Sequence, residues 1–530
     1  MFAAVKNAMD DLANDIGDVN VGEPCYRIAQ SPDVGRHIVA TKKLEKGEVV
    51  FKDVPIVTGP SRESESCCVA CYKPLDLETP KVDNGSDDSE MDVDSGPSPY
   101  ILCPRCKWPL CSLACADSDI HKPECYYLSK SGCPINPSDS DSLYDVITVL
   151  RCLYLKEHNI VAWADLLSLQ EANPNELNPE LGDRAKKVTG LICGTFRLGD
   201  QFPKELVFDI CTRLDINSFE IPLGITSATV QGIFTVACMV EHNCIPTGHR
   251  CFNSDMSITV RSAYGAEEGD AVSICYTDSL WPTAARRENL IYSKDFLCTC
   301  DRCQDETENE TYMSAIRCIK CPAYFLPENP LDCEGKWICN ACGNTAPIGY
   351  SDMAYSKVAS AIAKIEEEGL TPESCEKFIK NYSKVLHPNH AHMLDVKFSL
   401  LNLLGHSEGY SMSQLSEEQL QLKESLARTF LEIASKILPG ISRLKGTALF
   451  ELYICMQQRS IRAYNDPKMT LSPSEILGIL QNAYDHLMEC IECLQYEPSH
   501  QAEGQLCSRA REEQMQMILL MNQAKANIAQ

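Results

Sequence analysis

Residues 274–290 read ICYTDSLWPTAARRENL, and after seven more residues 298–303 read CTCDRC. The second block puts three thiols, Cys298, Cys300 and Cys303, within six residues. That is one short of the four donors that close a tetrahedral zinc site, so a distant fourth ligand is required. Downstream, Cys318-x2-Cys321 is followed seventeen residues later by Cys339-x2-Cys342, with Trp337 ahead of the second pair and Gly343 behind it. This is the spacing of a zinc ribbon, and the lone Cys333 between its two complete pairs reads as a spectator. Upstream, Cys68-x2-Cys71, Cys103-x2-Cys106, Cys111-x3-Cys115 and His121-x3-Cys125 supply eight donors, enough for two closed sites. An interleaved pairing sets Cys68, Cys71, Cys111 and Cys115 on one ion and Cys103, Cys106, His121 and Cys125 on the other. It staples a segment that has little core of its own.

The chain has 30 cysteines in 530 residues, and compartment decides between disulfides and metal. The start, MFAAVKNAMDDLANDIGD, has no basic region followed by an apolar one, and no run of 18 apolar residues occurs anywhere in the sequence. The expected setting is therefore the reducing cytoplasm and/or nucleus, where disulfides seldom persist and clustered cysteines hold zinc. Lys42-Lys43 is too short a basic run to act as an import signal. Asp plus Glu total 74 against 48 Lys plus Arg, a formal net charge of -26, which opposes nucleic acid and anionic membrane as partners. Around the first finger, Arg105, Lys107, Lys122 and Lys130 face Asp117, Asp119 and Glu124, so no basic patch forms. A monomer is expected. The stretch 81–99, KVDNGSDDSEMDVDSGPSP, is acidic and rich in Ser, Gly and Pro, the composition of a disordered loop.

The rest of the chain alternates in character. Residues 35–57, GRHIVATKKLEKGEVVFKDVPIV, carry short β-branched runs broken at Lys46-Gly47, which predicts paired strands joined by a turn. Residues 141–213 place Leu143, Ile147, Leu150 and Tyr154 at helical spacing. Residues 217–278 return to strand-like runs such as 257–260 and 271–276. The β part is thus split by two insertions. From about residue 350 the pattern is helical, with stripes Ala354, Val358, Ala361, Ile362, Ile365 and Leu422, Leu426, Phe430, Ile433, Ile437. Thr371-Pro372 and Ser472-Pro473-x-Glu475 read as helix starts with Pro in the first turn, and Ser416-x-x-Gln419 as a capping box. These helix pairs suit a tetratricopeptide-like array or an ordinary bundle; no clean repeat of about 34 residues selects between them.

Taken together, this order of parts resembles the SET and MYND domain (SMYD) family of protein-lysine methyltransferases, in particular its arthropod-type, SmydA-like branch. The resemblance covers nearly the whole chain. It rests on Gly35-Arg36, the eight-ligand finger, Asn217-Ser218-Phe219, EHNCIP at 241–246, ICYTDSLWPTAARRENL and CTCDRC. It implies an α+β chain. A SET β-fold (20–66 and 214–278) is split by a MYND finger (67–125) and a helical insert (140–213). A post-SET region with zinc ribbon (279–348) and a helical, TPR-like domain (350–530) follow. It also implies that Cys244 is the fourth ligand to Cys298, Cys300 and Cys303. About four zinc ions are then expected, two in the finger, one after the SET core and one in the ribbon.

The implied cofactor is S-adenosylmethionine, held by Arg36, Asn217, Glu241, His242, Tyr276 and Phe296, with Phe296 against the adenine. Tyr276 is the implied catalytic tyrosine of the lysine channel, and the implied partners are a protein substrate bearing a target lysine and proline-rich peptides at the finger. The sequence departs from the family at several positions. Glu241, Asn243 and Thr247 replace residues of the motif Asn-His-Ser-Cys-x-Pro-Asn. His37 stands where a second glycine is usual, and Lys294 stands at the second aromatic of the channel unless a shifted backbone brings in Tyr292. Five residues separate Cys115 from His121, two fewer than usual, with every ligand kept. These changes leave a second expectation open: a catalytically weak adaptor binding peptides through its finger and helices.

Overall fold

The computed structural model describes residues 24–32, 34–61, 64–80, 97–133, 135–136, 143–172, 177–224, 229–465 and 472–528. Most of the acidic stretch read as a loop, 81–96, lies outside these, while its last residues begin the strand Ser98–Leu102.

The β-core is built from small sheets whose strands come from both sides of the insertions. One sheet runs in the order Tyr26–Ser31, Gly35–Ala40, Ala271–Ile274, Glu241–His242. A second orders Gly248–Phe252, Ile258–Ser262 and Val49–Asp53, and a third Val57–Pro60, Thr229–Ile233 and Phe219–Pro222. The expected pairing within 35–57 is therefore corrected. Gly35–Ala40 pairs with Tyr26–Ser31 and with Ala271–Val272, whereas Val49–Asp53 pairs with Ile258–Arg261 across the whole insert. β-branched runs mark a strand, but the partner that buries its other edge is chosen by tertiary packing. Lys46-Gly47 does form a turn, with Gly47 at φ 81° under the Tyr496 ring, where a Cβ would lie 2.2 Å from the hydroxyl.

The insert forms the helices Tyr144–His158, Ile160–Ser168, Pro179–Gly190 and Lys204–Asn217. Ile147 and Leu150 are fully buried, and the first helix lies on the strand Val57–Pro60. Contact there is so close that a Cβ on Gly59 would lie 1.9 Å from Thr148 Oγ1, so only glycine fits. The last of the four helices ends at Asn217 and feeds the strand Phe219–Pro222, which carries the chain into the site.

From Tyr350 the chain is helical: Tyr350–Glu367, Pro372–Tyr382, Ala391–Leu403, Glu417–Ile437, Arg443–Asn465, Pro473–Leu494 and Ala502–Ile528. Thr371, Ser416 and Ser472 each cap their helix with a complete capping box, and Leu426, Phe430, Ile433 and Ile437 are buried as the stripe requires. From Glu417 onward each helix packs chiefly on its neighbours in sequence. This helical region docks on the β-core. Ile441 N–H donates to Ala263 O (2.9 Å), Arg443 Nη2 to Arg250 O (3.0 Å) and Gln501 Nε2 to Phe252 O (3.4 Å). The molecule is thus of mixed helix and sheet, with a helical C-terminal region. No helix among the described residues is long and apolar enough to cross a membrane.

Candidate active site and metal centres

Among the described residues four groups of donors converge, each with its four ligand atoms within 4.8 Å of one another. They are Cys68, Cys71, Cys111 and Cys115; Cys103, Cys106, His121 and Cys125; Cys244, Cys298, Cys300 and Cys303; and Cys318, Cys321, Cys339 and Cys342. A tetrahedral ion with bonds of about 2.3 Å to sulfur spaces its ligands by roughly 3.8 Å. The structure holds Cys71 Sγ 3.4 Å from Cys111 Sγ, Cys103 Sγ 3.9 Å from Cys125 Sγ, Cys244 Sγ 3.5 Å from Cys303 Sγ and Cys318 Sγ 3.8 Å from Cys342 Sγ. The residues fit zinc. Cys333 is exposed and outside every group.

Neighbouring groups orient these donors. His121 Nδ1 lies 2.9 Å from Glu124 Oε1, and Glu124 in turn accepts from Arg151 Nε (2.7 Å) and Nη2 (2.6 Å), all of them buried. A proton on Nδ1 leaves Nε2, 3.4 Å from Cys106 Sγ, free to ligate. At the third group, fully buried Arg286 points Nε at Cys244 Sγ (3.2 Å) and Nη2 at Cys303 Sγ (3.5 Å), while its Nη1 pairs with Glu308 (3.0 Å). Four thiolates around a dication carry a net charge of about -2, and the buried guanidinium offsets part of it.

The third group leads directly to Tyr276. Glu241 and His242 run parallel to Ser273 and Ile274, so the chain after Ile274 emerges beside His242. His242 Nδ1 accepts the Tyr276 backbone N–H at 3.0 Å, and its Nε2 lies 3.3 Å from Cys244 Sγ. Burial lowers the imidazole pKa to about 4, which keeps the ring neutral. The Tyr276 hydroxyl donates to Val240 O, and its ring meets Phe219 edge-on at 6.3 Å. Burial holds the phenol above its ordinary pKa and therefore protonated. Before it opens a cavity of about 470 Å³ lined by Asn217, Phe219, Cys238, Arg250, Tyr276 and Lys294, among others.

The other expected cofactor residues are placed as follows. His242 lies between Tyr276 and Phe296, at ring distances of 5.2 and 5.9 Å. Asn217 lines the cavity but commits its amide N–H groups to Gln170 O (2.9 Å) and Arg213 O (2.8 Å). Arg36 donates to Ser168 O (2.5 Å) and does not line the cavity. Glu241 is half-buried, its pKa raised by burial and opposed by the nearby His37, and it has no ion-pair partner among the described residues.

The departures acquire physical roles. The His37 ring turns back onto Gly35 O (3.1 Å). Thr247 Oγ1 accepts from Ser273 N–H (2.9 Å) and donates to Ala271 O (3.0 Å), bridging two segments of the core. Lys294 stays in the cavity wall, its Nζ donating to Ser218 O (2.7 Å) and Ile216 O (3.1 Å), while Tyr292 lines the same cavity with its hydroxyl turned to Glu180. Two further wall residues, Arg250 and Cys238, escaped the sequence reading. Only the register of Gly248–Phe252 against Ile258–Ser262 brings Arg250 here, and only the turn before Glu241 sets Cys238 Sγ 3.1 Å from Asn217 O.

No family model matches the chain. Among curated proteins it is similar to the SET domain-containing protein SmydA-8 of Drosophila melanogaster. Isoform B is 26% identical over 84% of this chain and 94% of that protein, and isoform A 25% over 81% and 88%. It is also similar to human histone-lysine N-methyltransferase SMYD3, 25% identical over 52% of this chain and 60% of that one. A solved SET domain bound to lysine and AdoHcy aligns at 12% identity with a TM-score of 0.31, covering 98% of this chain and 93% of its own. With the paired finger sites, the split β-core and these relatives, the chain is similar over most of its length to the SET and MYND domain family, and in particular to its SmydA-like branch.

Proposed function

We propose that the protein is an S-adenosylmethionine-dependent protein-lysine N-methyltransferase acting on histone or non-histone protein. The single observation that carries this reading is the position of Tyr276. It is fixed through its backbone by His242 and turned with its ring edge to Phe219 at the wall of a cavity of about 470 Å³.

The residues fit the methyl donor chemically. The carboxylate of Glu241, without an ion-pair partner among the described residues, can accept from an ammonium, and Phe296 offers an aromatic face beside His242. Arg36, Asn217 and His242 complete the proposed set. When bound, the donor supplies an electrophilic methyl group. The protein's part is positioning: Phe219 and Tyr276 confine the approach of an amine. Exclusion of water raises the cost of a charged ammonium and so favours the neutral, nucleophilic form. The four donor groups are proposed to hold about four structural zinc ions.

A second reading, an adaptor that binds partner peptides such as proline-rich ones through its finger and helical region, is favoured by two cations. Arg250 and Lys294 both line the cavity, and an incoming ammonium near either meets repulsion of a few kcal/mol at an effective dielectric of about 20. Transfer of a labelled methyl group to core histones and to a cell extract separates the readings. The methyltransferase reading expects incorporation that falls roughly 100-fold or more in Tyr276→Phe. Incorporation unaffected by that change shows that Tyr276 only packs. No incorporation, with the labelled donor unbound, leaves the adaptor.

A further inference from the structure

The cavity beside Tyr276 already contains an amine. We infer that Lys294 is itself a methylation site, presented in cis to the methyl donor; this rests on the methyltransferase reading and names the substrate its cavity is arranged to present. Lys294 is the last residue of the helix Thr283–Lys294, and Asp295 after it turns the chain with φ 60°. The side chain reaches back to the carbonyls of Ile216 and Ser218, on either side of the candidate donor residue Asn217. Capping the end of the helix Lys204–Asn217 accounts for those two hydrogen bonds. It does not account for the nitrogen lying 5.9 Å from the centre of the Tyr276 ring and 5.8 Å from that of Phe219.

A tetrahedral nitrogen has four directions. One holds Cε, and two N–H groups are committed to the carbonyls. The last is left for a third proton in the ammonium or for the lone pair in the neutral amine. No carboxylate forms an ion pair with Lys294 among the described residues. Burial lowers its pKa to about 8, against the opposing pull of Cys238, Glu220 and Asp215 and with the help of Arg250. Tyr276 and Asp278 also line this cavity. At pH 7 roughly one amine in ten is then neutral, where an ordinary lysine has fewer than one in a thousand. In the step itself the ammonium first gives a proton to solvent. The neutral nitrogen then forms a bond to the methyl carbon of the sulfonium donor S-adenosylmethionine as the carbon–sulfur bond breaks, giving Nε-methyl-Lys294 and the thioether S-adenosylhomocysteine. Arg250 repels a charged lysine arriving from outside, and the same repulsion favours the neutral, nucleophilic form of the resident one.

The test incubates the full-length, zinc-loaded protein with S-adenosylmethionine and maps methylation by peptide mass spectrometry. Binding of S-adenosylhomocysteine is measured on the same preparation by calorimetry. The expected result is one methyl group on Lys294, formed at a rate independent of protein concentration, rising with pH through about 8 and lost in Tyr276→Phe. A readout without donor is the titration of the Lys294 ε-carbon by NMR in ¹³C-lysine-labelled protein, assigned as the signal missing from Lys294→Met. It is expected near pH 8, and an ordinary value above 10 would count against the inference. Should Lys294→Met not fold, methylation of the wild-type chain still decides. Bound S-adenosylhomocysteine with unmodified Lys294 overturns the inference and leaves the reading beneath it standing. Absence of any binding overturns both.

Discussion

Arg286 shows how a single side chain ties the chemistry of a metal centre to a catalytic candidate. Its guanidinium touches two sulfurs of the third cysteine group, and one of these, on Cys244, also faces the ring nitrogen of His242, whose other nitrogen holds the Tyr276 backbone. Arg286→Met is expected to weaken zinc at this group alone by about 10- to 100-fold, read by competition with a chromophoric chelator. It also leaves Glu308 without its guanidinium, a loss of about 3–5 kcal/mol for a buried pair broken on one side. Release of all zinc together would contradict the separation of the centres. At this scale the sequence was legible wherever ligand chemistry fixes spacing, as in Cys318, Cys321, Cys339 and Cys342. Cys244 could be placed with Cys298 only by family resemblance, because 53 residues separate them. Arg250 carried no signal, since an arginine in a strand reads as a solvated one.

Among the elements, helices were the easier to read because their signals are local. Ser416 Oγ accepts from Gln419 N–H and Gln419 Oε1 accepts from Ser416 N–H (2.8 Å), a reciprocal pair contained within four residues. Ser416→Ala is expected to cost about 1 kcal/mol of stability, measured by urea denaturation of the helical region, with no change in metal content. Strand partners were not legible for the opposite reason. Val57 pairs with Ile233 and Val260 with Phe51 only after the finger and four helices have been threaded between them, so their pairing is set by closure of the whole core.

At the scale of the whole molecule, the helical region is fastened to the β-core by a buried ionic junction. Glu497 accepts from Arg443 Nε (2.9 Å) and lies 2.7 Å from His249 Nε2, on the strand that also carries Arg250 into the cavity. Burial pushes the Glu497 pKa up, but His249 and Arg443 together pull it further down, and the net shift is below the ordinary carboxylate value. A depressed carboxylate stabilises the fold fully above its unfolded pKa of about 4.3 and loses that contribution as pH falls through the folded value. Glu497→Gln is therefore expected to lose a few kcal/mol near neutrality. The gap to wild type should close below about pH 4.3, followed by thermal denaturation across pH. A gap that stays constant to pH 3 would mean that the junction does not titrate. The alternation of strand-like and helical stretches was legible from periodicity, whereas this junction was not, because His249 and Glu497 lie 248 residues apart.

The central claim is that Glu241, His242 and Phe296 still hold the methyl donor despite the altered motif. Calorimetric titration of the zinc-loaded protein with S-adenosylhomocysteine tests it directly. Micromolar binding, about -8 kcal/mol, weakened at least 10-fold in Phe296→Ala, is the expected result. No heat, with no thermal shift at millimolar ligand, would contradict it and favour the adaptor reading.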